Sequence, residues 1–272
     1  MILITGASGT VGREVARALE GRAPLRRGLR EPGPDGVAFD FGDPATFGPS
    51  LEGVDRVFLL RPPQLANARR DFGPFVEAMK AARIGQVVFL SVKGAARNRL
   101  LPHHGIERLI EASGLGWTHL RPNDFMQNFA TVHRADIRER SEIWAPAGRG
   151  RTSFIDVRDI GEAAARVMTE EGHLGRAYTL TGAEALDLRD VATLLSEALG
   201  RTIAYRDPGA LRFILRKRAE GHPLPFALVM TMVYTVARLG LAAEITPDLE
   251  RLIGRPPTAF RTFVRDYAPT WR

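Results

Sequence analysis

Apolar positions along the first 120 residues recur in two alternating rhythms. Short apolar runs at Ile2–Thr5, Leu25–Arg30, Val37–Asp40, Asp55–Leu60, Gln86–Leu90 and Trp117–Arg121 read as strands. Between them, Thr10–Leu19 sets Val11, Val15, Ala18 and Leu19 at helical spacing, and Ala66–Arg83 and His103–Ser113 read as further helices. Strands alternating with helices predict an α/β fold with a parallel sheet covered on both faces. After Pro122 the rhythm loosens. Asn128–Glu139, Asp159–Thr169 and Leu188–Leu199 read as helices, Ile143–Gly150 as turns, and Thr152–Val157 and Ala177–Leu180 as strands. The remainder is mainly helical, interrupted at Pro208, Pro223, Pro225, Pro247 and Pro256–Pro257.

The first strand runs directly into Gly6, Gly9 and Gly12, and these glycines open the first helix. The chemistry of a dinucleotide loop asks for this arrangement. A tight turn must leave the strand, the backbone must approach a pyrophosphate without a Cβ, and the helix must pack closely on the sheet. The free amides at the helix start then face the phosphates. Gly6, Ser8, Gly9, Thr10, Val11 and Gly12 are the expected loop contacts. The fold class is therefore a Rossmann-type, doubly wound parallel sheet. Its nucleotide domain is expected over 1–150, with a return of the chain within 151–182, and a mainly helical substrate-side lobe over 183–272.

The end of the second strand selects the cofactor. An acid there accepts from a ribose 2′-hydroxyl, whereas an arginine pairs with a 2′-phosphate. Arg30 stands at that point, which favours NADP(H), while the adjacent Glu31 leaves NAD(H) open. Asp40, with Phe41 beside it, is the expected acceptor at the adenine edge, or else a turn residue.

Composition narrows the alternatives. The 272 residues are 44% hydrophobic and 25% charged, as in ordinary globular chains. The absence of cysteine excludes disulfides, thiolate nucleophiles and cysteine metal sites. The net charge of +7 invites a nucleic-acid reading. Yet all but Lys80, Lys93 and Lys217 of the 38 basic residues are arginines spread along the chain, with no aromatic-interleaved stripe, so no nucleic-acid partner is expected. The apolar stretch Leu224–Ala237 is shorter than the roughly 20 residues that span a bilayer. With a strand starting at Ile2, no leader peptide is expected, and the reading is a cytoplasmic monomer or homodimer acting on a small molecule. No metal site is expected: His103 and His104 are adjacent rather than spaced as a metal-binding helix pair. Neither a G-x-S-x-G elbow nor a Gly-Lys-Ser/Thr phosphate loop is present.

Longer stretches resemble one family. ILITGASGTVG at 2–12, VFLLRPP at 57–63, VVFLSVKGA at 87–95, SGLGWTHLRPNDFMQN at 113–128, SFIDVRDIGEAA at 153–164, AYTLTGAEAL at 177–186 and the C-terminal LIGRPPTAFRTFVRDYA are similar to the NmrA-like branch of the atypical short-chain dehydrogenase/reductase superfamily, including its quinone oxidoreductase-like members. The resemblance implies that Leu60, Arg61 and Pro62 line the cofactor, and that Ser91 lies near the nicotinamide ribose. It also implies that Pro122, Asn123 and Phe125 lie by the nicotinamide, with Phe125, Met126 and Asn128 facing a substrate or, for Phe125 and Met126, packing in the core.

The sequence departs from the active dehydrogenase pattern in one respect. Those enzymes use a Tyr and a Lys four residues apart after the fifth strand, but the first tyrosine here is Tyr178. His103 and Glu107 have that separation instead, and Val92 follows Ser91. His103, His104 and Lys93 are the candidate proton donors. The expected function is NAD(P)H-dependent hydride transfer to a small aromatic or quinone-like carbonyl or conjugated acceptor. The alternative is a non-catalytic NAD(P)(H) sensor acting through a protein partner.

Overall fold

The computed structural model describes residues 1–31, 33 and 36–272. In chain order its elements are β1 (Ile2–Ile4), α1 (Thr10–Leu19), β2 (Leu25–Leu29), β3 (Gly36–Ala38), α2 (Phe47–Leu51), β4 (Arg56–Leu60), α3 (Gly73–Ala81), β5 (Gln86–Leu90), α4 (Pro102–Ala112) and β6 (Trp117–Pro122). There follow α5 (Gln127–Ala130), α6 (Arg134–Arg140), β7 (Glu142–Trp144), α7 (Val157–Thr169), β8 (Arg176–Leu180), α8 (Leu188–Leu199), β9 (Ala204–Arg206), α9 (Ala210–Ala219), α10 (Leu224–Arg238), α11 (Asp248–Ile253) and α12 (Phe260–Tyr267). Among these residues no helix is long and apolar enough to cross a membrane.

The chain divides into two compact units. The first comprises Met1–Pro122, Val157–Leu180 and Asp248–Arg255. Its parallel sheet has the order β3-β2-β1-β4-β5-β6-β8, the doubly wound arrangement the sequence rhythm implied. β5 is buried along its whole length and Val57, Phe58 and Leu59 of β4 are fully buried, as central parallel strands covered on both faces must be. Phe39, Phe47, Phe72, Phe75 and Phe89 belong to the apolar cluster on one side of this sheet. α1 buries Val11, Val15 and Leu19, the stripe legible in the sequence.

The second unit comprises Asn123–Asp156, Thr181–Pro247 and Pro256–Arg272. The first unit therefore ends at Pro122 rather than 150, because the segment after β6 packs its apolar residues with the later helices. Met126, Phe129, Phe154, Phe213, Tyr234, Phe260 and Trp271 share one buried cluster. The Trp271 indole donates to the Phe129 carbonyl at 2.9 Å.

Three expected elements differ. The stretch read as turns over 143–150 begins inside β7, whose Ile143 pairs with Tyr205 of β9. The helix over 128–139 is split into α5 and α6, since Thr131 leaves helical dihedrals while its hydroxyl donates back to the Gln127 carbonyl at 3.0 Å. Thr152–Val157 is not a strand. Thr152 bridges Leu186 and Ile155 bridges Phe125, so single bridges go to different partners and no ladder can propagate.

Candidate nucleotide and catalytic site

The glycine loop begins where Thr5 locks β1 to β4. Its hydroxyl donates to the Phe58 carbonyl at 3.2 Å and accepts from the Leu60 amide at 2.8 Å. Gly6 then turns the chain with φ +62°, a left-handed conformation, and its carbonyl accepts from the Gly9 amide at 3.0 Å. A Cβ on Gly12 would stand 2.1 Å from the Gly6 carbonyl oxygen, so α1 lies directly on the turn. Gly9 caps α1 without a side-chain bond, and no acidic residue occupies the first turn. The amides of Thr10, Val11 and Gly12 find no acceptor among the described residues, and Ser8, Gly9 and Thr10 are exposed. An accessible helix start with three open donors and no compensating charge is a site for an anion. Leu60 walls the turn, 3.3 Å from where a Gly6 Cβ would be.

Arg30 follows β2 immediately, and the C-terminal part of β2 runs beside β1 with Arg27 opposite Ile4. Its side chain is exposed and has no partner among the described residues; Glu31 beside it is also exposed. Asp40 has a turn role, its Oδ1 accepting from the Gly42 amide at 2.8 Å. Phe41 sits edge-on to Phe39 at 4.9 Å and against Phe72 at 5.0 Å. Arg61 folds onto the loop after β4, its Nη1 donating to the carbonyls of Pro62, Pro63 and Leu65.

The same Arg61 governs His103. Its Nε points to His103 Nε2 at 3.3 Å, which makes Nε2 the acceptor and puts the ring proton on Nδ1, a buried atom with no partner. Burial first, then the Arg61 charge, push the imidazole down to about 4 against the pull of Glu107. His103 is therefore neutral at pH 7, its one ring proton on Nδ1. His104 directs Nδ1 to the Ala95 carbonyl at 2.8 Å, so that nitrogen carries its proton and Nε2 is the remaining ring position. Lys93 is partly buried in the loop after β5, its amide donating to the Pro122 carbonyl at 2.8 Å.

Glu107, at the position a dyad lysine takes, is buried and held in an ion pair. Arg121 donates to both carboxylate oxygens at 2.9 and 2.8 Å, and the buried Ser91 hydroxyl donates at 2.5 Å. Burial alone raises its pKa, but the bonds from Arg121 and Ser91 outweigh it and the net shift is downward. This lock joins β5, α4 and β6. Arg121→Met should destabilise the protein by about 3–5 kcal/mol, because it strands a buried carboxylate. Urea unfolding of the variant measures this, and a loss under about 1 kcal/mol would refute it.

Beyond Pro122, which pairs with Leu180 in the sheet, the second unit begins. The Asn123 amide donates to the Ser153 hydroxyl and the Ala242 carbonyl, both at 2.8 Å. Asp124, which the sequence reading passed over, accepts on Oδ1 from the Phe125 amide at 3.0 Å and from Asn128 Nδ2 at 2.6 Å. Its Oδ2 has no partner among the described residues. Burial pushes this carboxyl up to about 6, against the two hydrogen bonds that favour its charged form. Phe125 is half-buried, whereas Met126 is 1% exposed and packs in the core of the second unit.

The sequence profile of the NmrA-like family matches residues 1–263. The chain belongs to the NmrA-like family. It is 33% identical to the NAD(P)H azoreductase of Xenophilus azovorans, the match covering 98% of each chain. It is 31% identical to the prestalk A differentiation protein A of Dictyostelium discoideum, over 97% of this chain and 91% of the other. The crystal structure of an NADPH-dependent quinone oxidoreductase from Escherichia coli, complexed with NADPH, matches with TM-score 0.89 at 26% identity, over 98% of this chain and 100% of that one.

Within this NmrA-like chain, one unit contains the glycine loop, Arg30, Asp40, Phe41, Leu60–Pro62, Ser91, Lys93, His103 and His104. Phe125, Met126 and Asn128 belong to the other unit. Asp124 carried one signal in the sequence, an acid two residues past a strand that ends in proline, but its raised pKa depends on burial that no local pattern records.

Proposed function

We propose that this NmrA-like protein is an NAD(P)H-dependent oxidoreductase of the cytoplasm that takes NADP(H) and reduces a small aromatic, quinone-like or otherwise conjugated acceptor. The observation that carries this reading is the helix start at Gly9–Gly12, with open amides, no acidic side chain and a glycine that tolerates no Cβ. Those residues fit a pyrophosphate, and Arg30 fits a 2′-phosphate. Asp40 and Phe41 border the adenine, and Leu60, Arg61 and Pro62 follow the ribose side. Ser91, Pro122, Asn123 and Phe125 border the nicotinamide, with Phe125 and Asn128 toward the acceptor. Bound nicotinamide supplies the hydride, and reducing a quinone-like acceptor to its hydroquinone also takes a proton. Asp124 gives that proton from Oδ2. It follows β6 at the C-terminal edge of the sheet, where doubly wound folds receive their ligands. A conjugated acceptor delocalises the incoming charge, so a carboxylic acid suffices where a simple ketone needs a tyrosine.

Purified protein offered NADPH and a panel of quinones and azo dyes should oxidise the cofactor. Saturable NADPH binding without turnover on any acceptor would overturn the enzyme reading in favour of a sensor. Arg30→Ala should weaken NADPH binding roughly tenfold to a hundredfold, the worth of a charge-assisted contact, and leave NADH binding nearly unchanged. Equal losses for both cofactors, by fluorescence titration, would refute the 2′-phosphate contact.

A further inference from the structure

Glu107 and Glu111 stand one helical turn apart on α4, and β6 brings His119 to them. One ligand atom from each of the three lies within 4.8 Å of the others. His119 has no exposed surface, and neither ring nitrogen makes a hydrogen bond. Its Nε2 is 3.3 Å from Glu111 Oε1 but without hydrogen-bond direction. The ring is clamped flat on Trp117, centroids 4.5 Å apart, and edge-on to Phe89 at 6.0 Å. A fully buried polar ring with no partner is unusual, since such groups are normally satisfied.

We propose that Glu107, Glu111 and His119 form a site for a divalent transition-metal ion, with zinc the best fit. One imidazole nitrogen and two carboxylate oxygens are a zinc donor set, whereas calcium and magnesium prefer oxygen alone. Glu107 keeps its lock while ligating. Oε1 takes two donors and Oε2 one, which leaves a lone-pair site on Oε2. Arg108, paired to Glu111, is 70% exposed and free to swing into solvent. A cavity of about 580 Å³ lined by His104, Glu107, Arg108, Glu111 and Arg121 gives the ion a way in and water a fourth position. The ion staples α4 to β6.

The test is calorimetric titration of the dialysed, full-length protein with zinc chloride, followed by thermal melts at each zinc level. One equivalent should bind, and the melting temperature should rise with zinc concentration. Glu111→Gln changes a partly exposed side chain and should fold normally; His119→Gln is the second variant. Each should lose at least about a hundredfold in zinc affinity, more than an outer-shell change removes. Absence of a saturable single equivalent would overturn the site. So would unchanged affinity in both variants, which would assign uptake to His173 or His222 elsewhere.

Discussion

Gly12→Ala should reduce NADPH-dependent turnover, as kcat/KM, by roughly a hundredfold or more, the scale of a displacement of about 1 Å in a positioned reactant. Helix propensity points the other way, because alanine inside a helix is worth about 1 kcal/mol over glycine. The new Cβ, however, would lie 2.1 Å from the Gly6 carbonyl oxygen and 2.8 Å from the Ala7 Cα, and both are backbone atoms. The contact is relieved only if α1 lifts off the turn, and such overpacking costs about 1–3 kcal/mol. The clash therefore outweighs propensity, and it moves the amides of Thr10 and Val11 away from the anion they serve. Gly48→Ala is the control: Gly48 lies in α2 with nothing within 4 Å of its added Cβ, and that variant should bind NADPH normally. Fluorescence titration with NADPH and circular-dichroism melts measure both variants. Wild-type affinity in Gly12→Ala would remove the loop from the cofactor site.

The parts legible in the sequence are those whose cause is local. β4 and β5 declared themselves as apolar runs because a central parallel strand is buried on both faces. α1 declared itself because its buried residues fall on one stripe and glycine precedes it. The place of Arg30, directly after β2, was readable because a strand end is a fixed point in this fold. The electrostatics of the site were not readable, because their causes lie far away in the chain. His103 is neutral because the fold buries it and sets it against Arg61, 42 residues earlier, and Glu107 is held ionised by Arg121, 14 residues later. The same distance hid His119, which reads as one position of an ordinary strand until the fold sets it beside two carboxylates of α4. Thr152–Val157 failed for a related reason: an apolar stretch is extended without being paired when its neighbours on either side are different segments.

Asp124→Asn should lower kcat on quinone-like acceptors by about a hundredfold, the lower range of general-acid catalysis, while leaving the NADPH dissociation constant nearly unchanged. Asparagine keeps the shape and an oxygen that can accept from Asn128 and the Phe125 amide, so the loop after β6 should stand. What is removed is a proton held on Oδ2. With the carboxyl near 6, wild-type kcat should fall as pH rises above about 6, and the variant should lose that limb. Stability offers an independent check on the same group. An unfolded aspartate titrates near about 3.9, so between that value and about 6 the folded chain holds the proton more tightly than the unfolded chain. The folded state then binds more protons, and stability falls as pH rises through this window. Asp124→Asn should flatten that slope and be relatively more stable at pH 7 than at pH 4. A variant that flattens the stability profile but keeps kcat and its pH limb would leave Asp124 a half-buried carboxyl without a role in proton transfer. His104, with Nε2 as its remaining ring position, would then be the group to replace next.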